Sequence, residues 1–200
     1  MGSAQDRLTL ASTSPQRRAI LEQLQILFEV VAPVYVEDDV LDADPAALVR
    51  AHADGKARSV HGEGRLTLGV DTTVVLDGRM YGKASDREHA RRMLNELSGR
   101  THTVLSGLCL LGVDEGILLH EKTDVTFRLL SHAVVDSYLE SGEWEGRAGA
   151  YAIQGLGGRL VERIEGDYLN VVGLPGALLV SLLENHAPHL LASRLSVTSA

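Results

Sequence analysis

Asp71 is the residue whose setting most strongly indicates chemistry, because it is a carboxylate inside an apolar segment. Residues 66–76 read LTLGVDTTVVL, a run typical of a buried strand. A carboxylate in such a run must pair with a cation, bind a metal ion or shift its pKa. The alternative is an Asp at a bulge or strand end that accepts backbone hydrogen bonds. The apolar surroundings favour the functional interpretation, and we treat Asp71 as a candidate catalytic residue.

The polar segment 12–14, of sequence STS, is a candidate anion site because it precedes a predicted helix that begins at Pro15. Arg17 and Arg18 fall in the first turn of that helix, where the helix dipole disfavours positive charge. A bound phosphate would resolve this conflict, since helix N-termini bind anions readily. The alternative is an ordinary capped helix with solvated arginines, and the segment alone does not decide between the two.

Further charged residues are weaker candidates when each is taken alone. Glu37, Asp38 and Asp39 follow a predicted strand and form an acidic cluster that could hold Mg²⁺ or Mn²⁺ through oxygen ligands, although a solvated acidic loop is the simpler interpretation. Lys56 and Lys83 are isolated lysines. Each would ordinarily be a surface charge, but Lys83 directly follows a predicted hairpin, in a position suited to contacting an anion.

Composition limits the class of protein to which these residues belong. The 200 residues are 44% hydrophobic and 23% charged, which is typical of a soluble globular protein, and we expect a single domain over 1–200. The net charge of −8 argues against a nucleic acid polymer as partner. No apolar run is long enough for a membrane span, and no signal peptide is evident. With Cys109 as the single cysteine, a cytoplasmic location is expected.

The elements that must position the candidates follow from apolar periodicity, caps and turns. Strands are predicted at 7–11, 29–36, 66–76, 101–113, 117–129 and 159–164, with helices beginning near Pro15, Asp44, Ser85 or Asp86, Ser131 and Pro175. Hairpins and crossover connections both occur, so the sheet should be mixed. We therefore expect a three-layer α/β fold with a mixed, elongated sheet around a cleft. The ordered core should cover about 7–186, and the tail 187–200 should fray.

Nine segments of the chain, in order, resemble the Maf family of nucleoside triphosphate pyrophosphatases. They are LASTSPQRRAIL (10–21), the region of Glu37, Lys56-Ala57, GVDTTVVLDG (69–78), GKASD (82–86), MLNELSGRTHTVLSG (93–107), TDVTF (123–127), SGEWEGRAGAYAIQG (141–155) and IEGDYLNVVGLP (164–175). The resemblance implies a nucleotide cleft in a fold like that of inosine triphosphate pyrophosphatases. It also implies a divalent metal cofactor, a cytoplasmic enzyme and a homodimer.

Residue roles come from the same resemblance, position by position. Asp71 matches the family's proton acceptor. The substrate-binding positions are Ser12, Arg17, Lys56, Lys83 and Gln154, the specificity positions are Gln16, Thr72 and Gln154, and the metal ligands are Glu37 and Asp71. Whether Asp71 acts mainly as base or as metal ligand stays open.

The expected activity is hydrolysis of dTTP and UTP to the nucleoside monophosphate and pyrophosphate. Gln154 matches the subgroup that acts on these pyrimidine nucleotides and argues against 7-methyl-GTP, which is the alternative substrate. Gln16 stands where many members of the family have an arginine, and this departure affects a substrate contact. A third interpretation is a nucleotide-sensing regulator of septum formation, and the presence of Asp71, Lys83 and Arg17 favours catalysis over sensing alone.

Overall fold

The computed structural model describes residues 7–37, 44–113 and 116–191. Within these ranges the strands are β1 (Leu8–Ala11), β2 (Phe28–Val31), β3 (Leu66–Leu76), β4 (Arg79–Tyr81), β5 (Thr101–Leu111), β6 (Ile117–Phe127) and β7 (Val161–Glu165). The helices are α1 (Pro15–Gln23), α2 (Pro45–Arg58), α3 (Arg87–Leu97), α4 (His132–Glu140), α5 (Tyr168–Val172) and α6 (Gly176–His186). Two short 3₁₀ helices cover Leu156–Leu160 and Pro188–Leu190.

All the described strands join one mixed sheet in the order β2-β1-β3-β5-β6-β7, with β4 paired to β3. The contacts of β1 with β2 and β3 are parallel, whereas β3, β5, β6 and β7 pair in antiparallel fashion and β4 returns antiparallel to β3. The predicted mixed sheet is therefore confirmed.

Helices cover both faces of the sheet, which gives the three layers predicted. Helix α2 packs so closely on one face that a side chain at Gly69 or Gly107 would collide with its backbone. A Cβ at Gly69 would lie 2.1 Å from the carbonyl oxygen of Ala53, and one at Gly107 would lie 2.1 Å from that of Val49. Helices α1 and α6 cover the opposite face, where the leucines of β1 and β3 form a buried core.

A second apolar core lies toward the far end of β3 and β5, where α3 and α4 pack against the sheet. Its centre includes Phe127 and Tyr151, whose rings contact the buried His102. The His102 Nε2 and the Tyr151 hydroxyl are 2.9 Å apart, and burial lowers the pKa of His102 to about 4. His102 is thus a neutral residue of the core.

Three segments differ from expectation. The strand predicted at 29–36 ends at Val31, because Pro33 cannot donate a backbone hydrogen bond. Helix α5 was not anticipated. The chain also does not fray from residue 187, since Leu190 is fully buried and Leu191 forms a bridge with Ile26. Residues 192–200 lie outside the described part of the chain.

Candidate active site

The cleft opens where one edge of β3 has no neighbouring strand among the described residues. β1 ends at Ala11, opposite Gly69, and β4 pairs only from Val74 onward. The edge of β3 between Gly69 and Val74 is therefore open, and side chains from both sheet faces reach the same space. A cleft of about 1290 Å³ lies at this gap.

The structure places all of the candidate site residues along this cleft. They are Ser12, Gln16, Arg17, Glu37, Lys56, Asp71, Thr72, Lys83 and Gln154. Asp38 and Asp39, the remainder of the acidic cluster, lie outside the described residues. Segments that are up to 142 positions apart in the sequence, from Ser12 to Gln154, thus meet at one site.

Lys56 links the two candidate metal-ligating carboxylates. Its Nζ lies 2.5 Å from Asp71 Oδ1 and 2.6 Å from Glu37 Oε1. The Lys56 and Asp71 side chains are only 10% and 14% exposed, whereas Glu37 is 42% exposed. Buried charges need such partners to offset lost hydration. Lys56 reaches Asp71 because the last turn of α2 lies directly over this part of β3.

Arg17 makes three hydrogen bonds on the other side of the gap. Its Nε donates to the carbonyl oxygen of Gly173 at 2.9 Å, its Nη1 to Ser12 Oγ at 3.1 Å and its Nη2 to Thr72 Oγ1 at 3.3 Å. Thr72 Oγ1 also lies 2.9 Å from Ser106 Oγ. Burial lowers the pKa of Arg17 from its usual value, while the nearby carboxylates raise it. The guanidinium nevertheless stays charged, because arginine does not deprotonate in proteins.

The two arginines of the first helical turn therefore have different environments. Arg18 is 65% exposed and pairs with Glu22 one turn later, as the interpretation of solvated arginines expects. Arg17 contradicts that interpretation because it is turned into the cleft and hydrogen-bonded to three elements. Ser14 caps the helix as predicted, since its side chain accepts from the backbone of Arg17.

Gln16, Lys83 and Gln154 line the cleft with fewer contacts. Gln16 Oε1 accepts a hydrogen bond from Ser14 Oγ at 3.1 Å. Lys83 is exposed, and its backbone forms a bridge with Ala148. Gln154 is exposed, with no hydrogen bond to another described residue. These three side chains have room to contact a ligand without first breaking a buried contact.

Some contributors to the site could not be identified from the sequence. The carbonyl oxygen of Gly173 accepts from both Arg17 and Thr72. Glu143 Oε2 accepts from the backbone N–H of Leu156 at 2.7 Å and so fixes the turn that follows Gln154. Both residues lie within the family-like segments 141–155 and 164–175, but those segments give neither of them a role. The clustering of glycines between 142 and 176 predicts only that close backbone approaches occur there.

Comparisons with known proteins decide the family. The model for Maf-like proteins matches residues 7–186. The chain belongs to the Maf family. It is 46% identical to a dTTP/UTP pyrophosphatase of Symbiobacterium thermophilum over 179 residues, which cover 88% of this chain and 92% of the relative. It is 42% identical to a dTTP/UTP pyrophosphatase of Pyrococcus furiosus over 182 residues, covering 89% and 94%. The resemblance inferred from the motifs is therefore confirmed.

The Maf resemblance implies a divalent metal, and the donor set of the cleft fits one in part. Glu37 and Asp71 supply carboxylate oxygens on either side of one ammonium group, and Mg²⁺ commonly binds one or two carboxylates together with substrate phosphates. Within 7–37, 44–113 and 116–191 no group of three or more histidine, cysteine or acidic side chains could hold a metal ion. A cation at Glu37 and Asp71 would therefore take its remaining ligands from substrate and water.

None of the described helices is long and apolar enough to cross a membrane.

Proposed function

We propose that this protein is a nucleoside triphosphate pyrophosphatase that hydrolyses dTTP and UTP to the nucleoside monophosphate and pyrophosphate. The observation that carries the proposal is the buried contact of Asp71 with Lys56 at the open edge of β3, in a Maf chain 42–46% identical to proteins named dTTP/UTP pyrophosphatases. A carboxylate and cations along one cleft suit hydrolysis of a polyanionic substrate.

Asp71 is proposed to orient and deprotonate the attacking water. Its Oδ1 accepts from Lys56, while Oδ2 makes no hydrogen bond to another described residue and is available to a water molecule. The water oxygen bonds to the α-phosphorus, the bond from that phosphorus to the bridging α–β oxygen breaks, and pyrophosphate leaves with the bridging oxygen. The proton of the water passes to Asp71.

The basic residues are proposed to stabilise the charge on the phosphates. Arg17 stands at the N-terminus of α1, where backbone N–H groups add to the attraction for an anion. Lys56 and Lys83 reach the same cleft from α2 and from the segment after β4. Arg17 and Lys56 are held in place by their contacts before the reaction, so stabilising the transition state through them requires little reorganisation.

Glu37 and Asp71 are proposed to hold Mg²⁺ or Mn²⁺ together with the substrate. A divalent cation supplies charge neutralisation at phosphate oxygens and polarises the anhydride. Because Lys56 Nζ already lies between Glu37 Oε1 and Asp71 Oδ1, the metal ion would bind through the remaining carboxylate oxygens of these two residues, together with substrate phosphates. Replacing Glu37 by Gln should raise the metal concentration needed for half-maximal activity.

Gln154 is proposed to select the pyrimidine base. Its amide offers one donor group and one acceptor, which complement the edge of thymine or uracil. Gln16 and Thr72 line the same cleft and are proposed to contribute to specificity. A cytoplasmic location and a homodimer remain expectations from the family resemblance.

A substrate panel scored by released pyrophosphate tests the proposal. The panel contains dTTP, UTP, 7-methyl-GTP and the other common triphosphates, assayed with Mg²⁺ or Mn²⁺. Release of pyrophosphate rather than phosphate distinguishes α–β cleavage from removal of the terminal phosphate. The proposal requires dTTP and UTP to have the highest kcat/KM, and Asp71→Asn serves as the matched inactive control. A preference for 7-methyl-GTP, or binding without turnover, would contradict it.

A further inference from the structure

Arg147 is a cation of the cleft to which the sequence motifs assign no role. It lines the same cavity as Asp71 and is half-buried. Its Nε is fully buried and has no hydrogen-bond partner. Across residues 7–37, 44–113 and 116–191 its guanidinium also forms no ion pair. A buried donor without a partner costs free energy, so the setting of this guanidinium needs an explanation, and a ligand that binds at its Nη groups is one.

The backbone that follows Arg147 is held against the end of β4 and the segment after it, which carries Lys83. The N–H of Gly149 donates to the carbonyl oxygen of Tyr81 at 2.8 Å, and Lys83 forms a backbone bridge with Ala148. Gly149 has a φ of +66°, and a Cβ there would meet Val74 at 2.9 Å. Arg147 and Lys83 are therefore fixed on one wall of the cleft.

The five lysines and arginines that line the cleft differ in how fully the protein satisfies them, and Arg79 among them pairs with Glu96. Arg17 already donates to three protein oxygens, and Lys56 already contacts two carboxylates. Lys83 and Arg147 have no acidic partner among the described residues. An anion that enters the cleft therefore gains the most binding free energy by contacting Lys83 and Arg147.

We propose that Arg147 binds the phosphate chain of the substrate beside Lys83, on the part that leaves as pyrophosphate. This inference rests on the proposed function and extends it to a residue that recognises the leaving group. A guanidinium presents a planar fork of donors that matches two phosphate oxygens, whereas the Lys83 ammonium acts as a point charge. Because the Nε of Arg147 is buried, the Nη groups of the guanidinium would make these contacts.

Calorimetric titration with inorganic pyrophosphate, with and without Mg²⁺, tests this role without depending on turnover. The variants are Arg147→Ala, Arg147→Lys and the control Arg163→Ala. Arg163 lies on β7 outside the cleft, is 65% exposed and pairs with Glu165. Loss of one charge-assisted contact typically weakens binding by about 10- to 100-fold. We expect that loss for Arg147→Ala, a partial loss for Arg147→Lys and none for Arg163→Ala.

Kinetics and melting temperatures distinguish a contact with the phosphates from a role of Arg147 in base selection or in the stability of the fold. Arg147→Ala should raise KM for dTTP and UTP by similar factors, leave their ratio unchanged and leave the melting temperature of the free protein near that of wild type. Unchanged pyrophosphate affinity would overturn the proposal, whether accompanied by altered base preference or by a lower melting temperature. If wild type binds pyrophosphate through Arg147 but hydrolyses no nucleotide, the inference stands and the proposed function fails.

Discussion

Replacing Arg17 by Ala should lower stability as well as activity, because its guanidinium forms hydrogen bonds with three separate segments of the chain. The side chain donates to the carbonyl oxygen of Gly173, to Ser12 Oγ and to Thr72 Oγ1. A net hydrogen bond contributes about 1 kcal/mol to stability, and bonds from charged groups contribute somewhat more. The side chain is half-buried, so we take the lower value and expect a loss of about 3 kcal/mol.

Arg18→Ala is a matched control, because it removes the same residue type from the same helical turn. Both substitutions remove a positive charge from the N-terminus of α1 and introduce the same residue into the helix. The Arg18 side chain forms an exposed ion pair with Glu22, of the kind that contributes about 0.3–0.5 kcal/mol. The difference between the two variants therefore isolates the three hydrogen bonds of Arg17.

Differential scanning calorimetry checks this expectation directly. In a chain of this size 1 kcal/mol corresponds to about 2–4 °C in melting temperature. Arg17→Ala should thus melt about 6–12 °C below wild type, and Arg18→Ala within about 2 °C of it. A melting temperature for Arg17→Ala close to that of Arg18→Ala would refute the structural part of the reasoning. In that case, any loss of activity would report on substrate contact alone.

Three further substitutions test the site and the core. Asp71→Asn should stay folded and lose about 10²-fold or more in kcat, because the amide cannot accept the proton of water; steady-state kinetics with activity within a few-fold of wild type would remove Asp71 from the mechanism. Gln154→Glu should narrow the preference for dTTP and UTP over 7-methyl-GTP, since a carboxylate accepts from guanine N–H groups; an unchanged ratio of kcat/KM values would place specificity elsewhere. The pKa of His102 is lowered to about 4 in the folded protein, so as pH falls the residue binds a proton in the unfolded chain first. The free energy of unfolding should therefore fall between pH of about 6.5 and 4, by a total on the order of 3 kcal/mol. Urea denaturation of wild type and His102→Gln should show that the variant loses part of this pH dependence, and parallel curves would assign it to other groups.

Helix starts and the β3–β4 hairpin could be predicted because local chemistry determines them. Ser14, Asp44, Asp86 and Ser131 each accept a hydrogen bond from the backbone N–H three residues later, as capping residues do. The turn at 77–78 has positive φ at both positions, in agreement with the Asp-Gly signal. In each case the residues that specify the feature are adjacent in sequence.

Helix α5 could not be predicted, because contacts between distant residues determine it. It has only five residues and no room for an apolar periodicity. Its Asn170 is fully buried, and the side-chain amide donates to the carbonyl oxygen of Val104 and to Thr123 Oγ1. The residue that caps the end of this helix is Gly173, whose carbonyl oxygen accepts a hydrogen bond from Arg17. The sequence therefore identified Arg17 as a candidate but not the acceptor that fixes it.

The open edge of β3 explains why two adjacent residues can serve different halves of the site. Successive side chains of a strand point to opposite faces, so Asp71 lies on the face covered by α2 and Thr72 on the face covered by α1. Along most of β3 the paired strands would separate these two faces. Because β1 ends opposite Gly69, both side chains border one cleft, where Asp71 meets Lys56 and Thr72 meets Arg17. A change that extended β1 by two paired residues would close the gap and separate Asp71 from Thr72 and Arg17.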